Sequence, residues 1–372
     1  MSARVLAGLA MLLGVAGCRD GIGSFVPEVS NPAADTEVRL TYAAGDQRYP
    51  AWSADGDSVY YSGDTFAGMP AAPGGVYAVP AGGGTARAVL LELQSFANGG
   101  PRWFASPSPA PTDGRVAIVE LVRPAPPGPS CGCELPEPRL ITGRIRVRDT
   151  RSAGAPDDDV VATVTFAGRD PRTTPPAPGS YLDRVFPFQR LFAEEGVVAM
   201  RPSWSPDGER LVFSDGLQLY LWRVGDASPQ PLPGTTDGML PAWSPDGQRI
   251  AFVRWVRTDS TSGTCACPTP RGTAFLEQIA YVASPEVWTI APDGSDAVSL
   301  GPGDEPAWAP DGQSLYLRRD DRIVRVALDA SELGVVPFTD GAHDPAVSPD
   351  GTRLAFARDG NGYDIWVVAL DS

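Results

Sequence analysis

The sequence predicts an all-β chain folded as a six-bladed β-propeller, and three observations carry that expectation. A short motif of proline, aromatic residue and tight turn recurs six times. Apolar alternations of strand length flank each copy. The best copies keep one spacing, Trp204 to Trp243 and Trp308 to Val347 both being 39 residues apart. A four-stranded propeller blade takes roughly 40–45 residues, and such units stack to bury what none can bury alone.

Taken in order, the chain begins with Arg4 and the apolar run Val5 to Val15, too short for a permanent membrane span and suited to a secretory signal. It ends in Val15-Ala-Gly-Cys18, which resembles a bacterial lipobox. That resemblance implies residues 1–17 as a lipoprotein signal peptide and Cys18 as the lipidated first residue of a mature envelope protein. Arg19, rather than Asp, follows the cysteine and leans toward the outer membrane, periplasmic side, over the inner membrane. Residues 18–35, rich in Gly, Ser, Pro, Asn and Asp, read as a flexible tether. The propeller then occupies 36–372.

Its first strand, Glu37-Val-Arg-Leu-Thr-Tyr42, precedes any motif copy. Complete copies follow at Pro202-Ser-Trp204-Ser-Pro-Asp207-Gly208, Pro241-Ala-Trp243-Ser-Pro-Asp246-Gly247, Pro306-Ala-Trp308-Ala-Pro-Asp311-Gly312 and Pro345-Ala-Val347-Ser-Pro-Asp350-Gly351. Pro50-Ala-Trp52-Ser-Ala-Asp55-Gly56 lacks only the second proline, and a worn copy runs from Pro101-Arg-Trp103 to Asp113-Gly114. Proline presets φ at one turn position, Asp suits the next and Gly accepts the positive φ at the exit, so each copy is a hairpin. Leu211-Val-Phe213 and Ile250-Ala-Phe252-Val253 are the strands that leave two of these turns. Third strands follow at 218–222, 286–290, 322–326 and 364–368. The chain thus stops on a blade's third strand, and Glu37–Tyr42 is expected to supply the fourth, leaving no raw edge. The 101 residues from Trp103 to Trp204 leave room for a seventh blade as an alternative.

This repeat resembles the WD-like repeat of TolB-type β-propellers, over about residues 36 to 372. The resemblance implies six blades and an envelope location. Some relatives of this propeller carry a peptidase domain, but the chain has no Gly-x-Ser-x-Gly elbow and nothing after residue 372 to hold one. The domain that precedes the propeller in TolB itself is also missing, which puts a role in the trans-envelope Tol system in doubt.

Two Cys-x-Cys pairs, Cys131/Cys133 and Cys265/Cys267, fall in insertions at about 123–140 and 257–282, after the second strands of the second and fourth blades. Loops there share one face of the ring. Disulfides fit an oxidising compartment; a four-thiolate metal site is the other reading, although Cys-x-Cys is tighter than the usual zinc spacing. Net charge is −15, with every basic residue an Arg, which argues against nucleic acid and against adhesion to anionic lipid beyond the anchor.

The sequence implies no cofactor and offers little catalysis. His343 is the one histidine, so a multi-histidine metal centre is excluded. Asp359-Gly-Asn-Gly-Tyr-Asp364 has oxygens at alternate positions like a calcium loop but lacks the later ligands, and reads as a hairpin turn. Trp52, Trp103, Trp204, Trp243 and Trp308 hold one repeat position, as residues packing between blades do. Tyr181, Phe186, Phe188 and Trp255 lie in or beside insertions, out of the repeat register, where they either pack the insertion against the ring or offer a platform to a ligand such as a sugar.

Residues just ahead of each Pro-x-Trp should ring the channel mouth: Arg48, Tyr49, Asn98, Met200, Arg201, Met239, Leu240, Asp304, Glu305, His343 and Asp344. Cations, carboxylates, an amide and apolar groups around one opening suit polar recognition over an apolar floor. Two function classes follow. One is a lipid-anchored, non-catalytic and monomeric scaffold that binds an envelope protein or peptide through the mouth and insertions. The alternative is a carbohydrate-binding protein, or a hydrolase or lyase, using the central pocket; fold alone does not choose.

Overall fold

The computed structural model describes residues 36–42, 45–64, 75–91, 102–122, 139–150, 160–168, 200–216, 218–269, 272–359 and 362–370. Cys18, the tether, Asn98, Cys131, Cys133, Tyr181, Phe186 and Phe188 lie outside them.

Strand β1 (Glu37–Arg39) comes first in the chain yet belongs to the last sheet. Blade 1 is β2 (Asp46–Trp52), β3 (Ser58–Asp64), β4 (Gly75–Pro80) and β5 (Arg87–Leu91). Blade 2 is β6 (Arg102–Pro109), β7 (Arg115–Val122), β8 (Arg139–Asp149) and β9 (Val160–Gly168). Blade 3 is β10 (Ser203–Trp204), β11 (Arg210–Ser214), β12 (Leu219–Arg223) and β13 (Gln230–Pro231). Blade 4 holds β14 (Gly238–Trp243), β15 (Ile250–Thr269), β16 (Gly272–Ile290) and β17 (Val298–Pro302). Blade 5 holds β18 (Asp304–Trp308), β19 (Ser314–Arg319), β20 (Arg322–Ala327) and β21 (Glu332–Val335). Blade 6 is β22 (Ala342–Val347), β23 (Arg353–Asp359) and β24 (Tyr363–Ala369), completed by β1 with Glu37 opposite Val368 and Arg39 opposite Trp366.

The protein is therefore a six-bladed propeller whose ring closes through N- and C-terminal strands, as the sequence predicts. All six sheets are antiparallel four-stranded meanders, and the long interval between Trp103 and Trp204 contributes one of them. In such a meander the loop before the first strand and the loop between the second and third strands lie at one end. That end is called here the mouth face; the Asp-Gly turns lie on the opposite, turn face.

The turns recur with the same bonds. In blades 1, 3, 4 and 6 the Ser hydroxyl donates to the Asp two residues on: Ser53 to Asp55, Ser205 to Asp207, Ser244 to Asp246 and Ser348 to Asp350. The same Asp accepts the backbone N–H two residues later, and the Ser oxygen accepts the N–H five residues on. These bonds, the Ser hydroxyl first, hold all four carboxyls below the usual carboxylate range. Gly247 has φ +73° and a Cβ there would stand 3.2 Å from Pro206 of the preceding blade, so glycine is required both for the turn and for the blade contact.

The repeat tryptophans join blades. Trp52 Nε1 donates to the Ala346 carbonyl (2.9 Å), Trp204 to Ser108 (3.0 Å) and Trp308 to Ala242 (2.9 Å), each on the preceding blade's innermost strand. Arginines of the preceding blade cover the rings, Arg353 over Trp52 at 4.6 Å, Arg115 over Trp204 and Arg210 over Trp243 at 4.8 Å. Phe213, Phe252 and Phe356 are among the largest fully buried side chains, one on the second strand of each of three blades. The sequence reading of these tryptophans as structural residues thus stands for Trp52, Trp204, Trp243 and Trp308.

Blade 2 corrects the worn copy. Its innermost strand places Pro107-Ser108-Pro109-Ala110-Pro111 ahead of Asp113-Gly114, with Ser108 as the acceptor for Trp204. Pro107 is therefore the repeat proline and Pro109 takes the tryptophan position; Trp103 lies upstream, out of register. The second insertion also differs from the loop that its prolines suggest. β15 and β16 run on together as one ribbon, pairing from Ile250↔Ile290 out to Thr269↔Gly272.

Candidate functional site

The innermost strands enclose a central channel of about 430 Å³. Its wall repeats one short pattern of proline followed by Ala or Ser: Pro50-Ala51, Pro107-Ser108, Pro202-Ser203, Pro241-Ala242, Pro306-Ala307 and Pro345-Ala346. These strands are the inner edges of their sheets, and proline removes one N–H from each. A guest strand adding to those edges would lack that donor. The channel accordingly favours recognition by side chains over strand addition.

At the mouth end, the residue before the repeat proline adopts a left-handed backbone in five blades. The φ values are 57° at Tyr49, 48° at Ser106, 53° at Leu240, 51° at Glu305 and 53° at Asp344. Each coincides with a bulge in the pairing of its innermost strand. Non-glycine residues pay about 1–3 kcal/mol for such conformations, and bulges re-aim side chains, which is why both concentrate at binding sites. The sequence gives no direct sign of this, because a residue before proline ordinarily reads as extended.

On one side, blades 5, 6 and 1 assemble a buried polar cluster. Glu305 Oε2 accepts the Asp344 backbone N–H (2.7 Å), and Glu305 Oε1 lies 3.3 Å from His343 Nδ1. Arg48 Nε donates to Asp344 Oδ2 at 3.2 Å and its guanidinium covers Tyr363 at 4.5 Å. His343 meets the same Tyr363 edge-on at 5.5 Å. Glu305 is 3% exposed and Asp344 0%. Burial raises the Glu305 carboxyl, but the His343 hydrogen bond and charge, Arg48 and the Asp344 N–H outweigh it and leave Glu305 below its ordinary range. Asp304 caps the Glu305 N–H at 2.8 Å.

The predicted mouth residues thus divide. Arg48, Asp304, Glu305, His343 and Asp344 do come together, as an ion-paired cluster. Met200, Met239 and Leu240 are buried in the main apolar cluster and form no floor for a ligand. Tyr49 and Arg201 line the channel, as does Ser106, which takes the place given to Asn98 because Pro107 is the repeat proline. Ser106 was legible only through the proline pattern 107–111, once the missing tryptophan is allowed for. Trp255 packs against the main apolar cluster. The 359–364 segment joins β23 to β24 as a hairpin at the mouth, with the Tyr363 N–H donating to Asp46 (3.0 Å).

Cys265 and Cys267 stand opposite Leu276 and Ala274 in the register of the β15–β16 ribbon. The paired ends Val122↔Thr142 of β7 and β8, and the β15–β16 ribbon beyond Arg254↔Glu286, lie toward the mouth face. Among the described residues no group of three or more His, Cys, Asp and Glu side chains converges as a metal site.

No family model and no curated protein matches this sequence. Solved structures of similar shape include TolB from Acinetobacter baumannii, 16% identical over 81% of this chain with a TM-score of 0.46; the chain spans 57% of that protein's length. The putative TolB from Agrobacterium tumefaciens is 15% identical, with 88% of this chain and 91% of that one covered and a TM-score of 0.44. An oligogalacturonate lyase in complex with manganese is 11% identical, covering 94% and 98% of the two chains, with a TM-score of 0.48. What these proteins share with this chain is a likeness of fold.

Proposed function

We propose that this protein is a lipid-anchored binding propeller of the bacterial envelope that recognises a protein or peptide partner on its mouth face. The observation that carries the reading is the ring of strained residues before the repeat prolines, which gathers a buried ion cluster at the mouth face and sets Tyr49 and Ser106 at the adjoining end of the channel wall. That face also emits both Cys-x-Cys insertions, so channel and insertions would meet one partner together. The anchor rests on the lipobox-like Val15-Ala-Gly-Cys18 and the tether after it.

Cross-linking in intact cells from a photoreactive residue placed at Tyr363, beside the mouth, tests the partner. A discrete adduct that is lost when the photoreactive residue moves to the turn face, at Gln248, supports the reading. Equal adducts from both positions overturn it. A turnover of glycans or peptides that persists through purification and is lost on mutating Arg201 would favour the enzymatic alternative. For the anchor, Cys18→Ala is expected to abolish labelling by a fatty-acid analogue; unchanged labelling refutes it.

A further inference from the structure

The charged residues before the repeat prolines differ in whether they find a counter-charge. In blades 5, 6 and 1, Glu305 and Asp344 have Arg48, His343 and a backbone N–H as partners, so each carboxylate there has a counter-charge even though Asp344 Oδ1 makes no hydrogen bond. Arg201, before the repeat proline of blade 3, is the opposite case. It lines the channel, it forms no ion pair among the described residues, and its Nη1 is buried without a hydrogen-bond partner. Beside it on blade 2, Ser106 is 2% exposed, lines the same channel, and its Oγ is also buried with no partner. Buried polar groups are ordinarily paired, and an unpaired one is costly. Here two lie on adjacent blades at equivalent repeat positions, and Ser106 is held there in a left-handed backbone at φ 48°.

A guanidinium and a hydroxyl at equivalent positions of adjacent blades, lining one channel, are complementary to a carboxylate held between them. The guanidinium presents parallel donors to both oxygens, and the hydroxyl adds a third bond. The surrounding wall sets prolyl rings and Ala methyls beside its polar groups, so a carboxylate held there would be partly withdrawn from water, which strengthens a charge-assisted bond. We infer that the channel wall at Ser106 and Arg201 is a carboxylate-binding site, with Arg201 as the anchoring cation. This deepens the proposed function by naming the group a partner would insert, and rests on that reading for the partner being a peptide.

The test is calorimetric titration of the full chain with two free-acid probes, acetyl-Gly-Gly-Glu-Glu and trigalacturonate, and with the uncharged acetyl-Gly-Gly-Gln-Gln amide. The inference expects an acid probe to bind, the amide to bind at least tenfold more weakly, and Arg201→Gln to remove at least tenfold of the acid probe's affinity. Arg201→Lys should recover part of that loss, and Ser106→Ala should cost a few-fold. Circular dichroism and the melting temperature establish that the variants are folded, Arg201→Lys standing in should Arg201→Gln fail to fold. Binding of trigalacturonate alone, with the same Arg201 dependence, upholds the carboxylate site while removing the peptide reading. Binding of neither acid at millimolar concentration, equal binding of acid and amide, or indifference to Arg201 overturns the inference even where the partner cross-link persists.

Discussion

Arg48, on the first blade, reaches Asp344, on the last, with Nε 3.2 Å from Oδ2 across 296 residues of sequence. The acid is fully buried and the Arg48 side chain is 12% exposed, so this pair lies inside the seam where the ring closes. Beside it the two termini pair as β1 and β24. Charge at the mouth and closure of the fold are therefore the same contact.

The first prediction follows from that burial. Arg48→Ala leaves Asp344 without its cation and is expected to destabilise the fold by about 3–5 kcal/mol, as other broken buried pairs do. Arg201, which has no ion pair among the described residues, should be the tolerant position. Chemical denaturation of the two variants side by side measures the difference; equal losses would contradict it.

Acid should act on the same seam. Glu305 sits below its ordinary range in the folded state, so its contribution is complete above the unfolded value near 4.5 and is lost as pH falls through the lowered folded value. The melting temperature is expected to drop below about pH 4.5. Glu305→Gln should flatten part of that drop, measured as melting temperature against pH. A slope unchanged by the substitution would assign the acid sensitivity elsewhere.

The tryptophans give a graded series. Trp52, Trp204 and Trp308 each donate to the preceding blade, whereas Trp243 Nε1 is buried without a partner. Replacement by phenylalanine should cost about 0.5–1.5 kcal/mol more at the three donors than at Trp243, because only there is a hydrogen bond removed. Equilibrium unfolding of the four variants resolves the order.

For the cysteines, the expectation is a native protein with no reactive thiol among Cys131, Cys133, Cys265 and Cys267 until reductant is added, and no stoichiometric zinc. Thiol titration with and without denaturant, together with metal analysis, checks this. Reduction should leave the melting of the ring nearly unchanged, since the six sheets are closed without these insertions. Four reactive thiols with bound zinc would reverse the assignment.

What could be read from the chain, and what could not, has a physical division. Proline, Asp and Gly at fixed offsets encode turns locally, so the Ser-Pro-Asp-Gly copies and the β1 closure were legible. The second blade was misread at Trp103 because Pro107-Ser-Pro109-Ala-Pro111 keeps the turn chemistry while replacing the tryptophan that marks register. The ribbon formed by β15 and β16 was hidden because Gly263 and Pro268 resemble loop composition, and pairing of distant residues leaves no local trace. Met200, Met239 and Leu240 were placed at the rim by position alone. Their burial depends on how neighbouring blades wedge together, a three-dimensional property that spacing does not carry.

The pairing of Glu37 with Val368 gives the molecule an up and a down. Because β24 runs away from the mouth, its antiparallel neighbour β1 runs toward it, and the chain joins the ring at the turn face. If Cys18 carries the proposed lipid, that face is the one held toward the bilayer. The surface nearest the lipid headgroups would then carry Asp55, Asp207, Asp246 and Asp350, whose charges anionic headgroups repel. The ring would then stand with its ion cluster, on the mouth face, turned outward to whatever diffuses past.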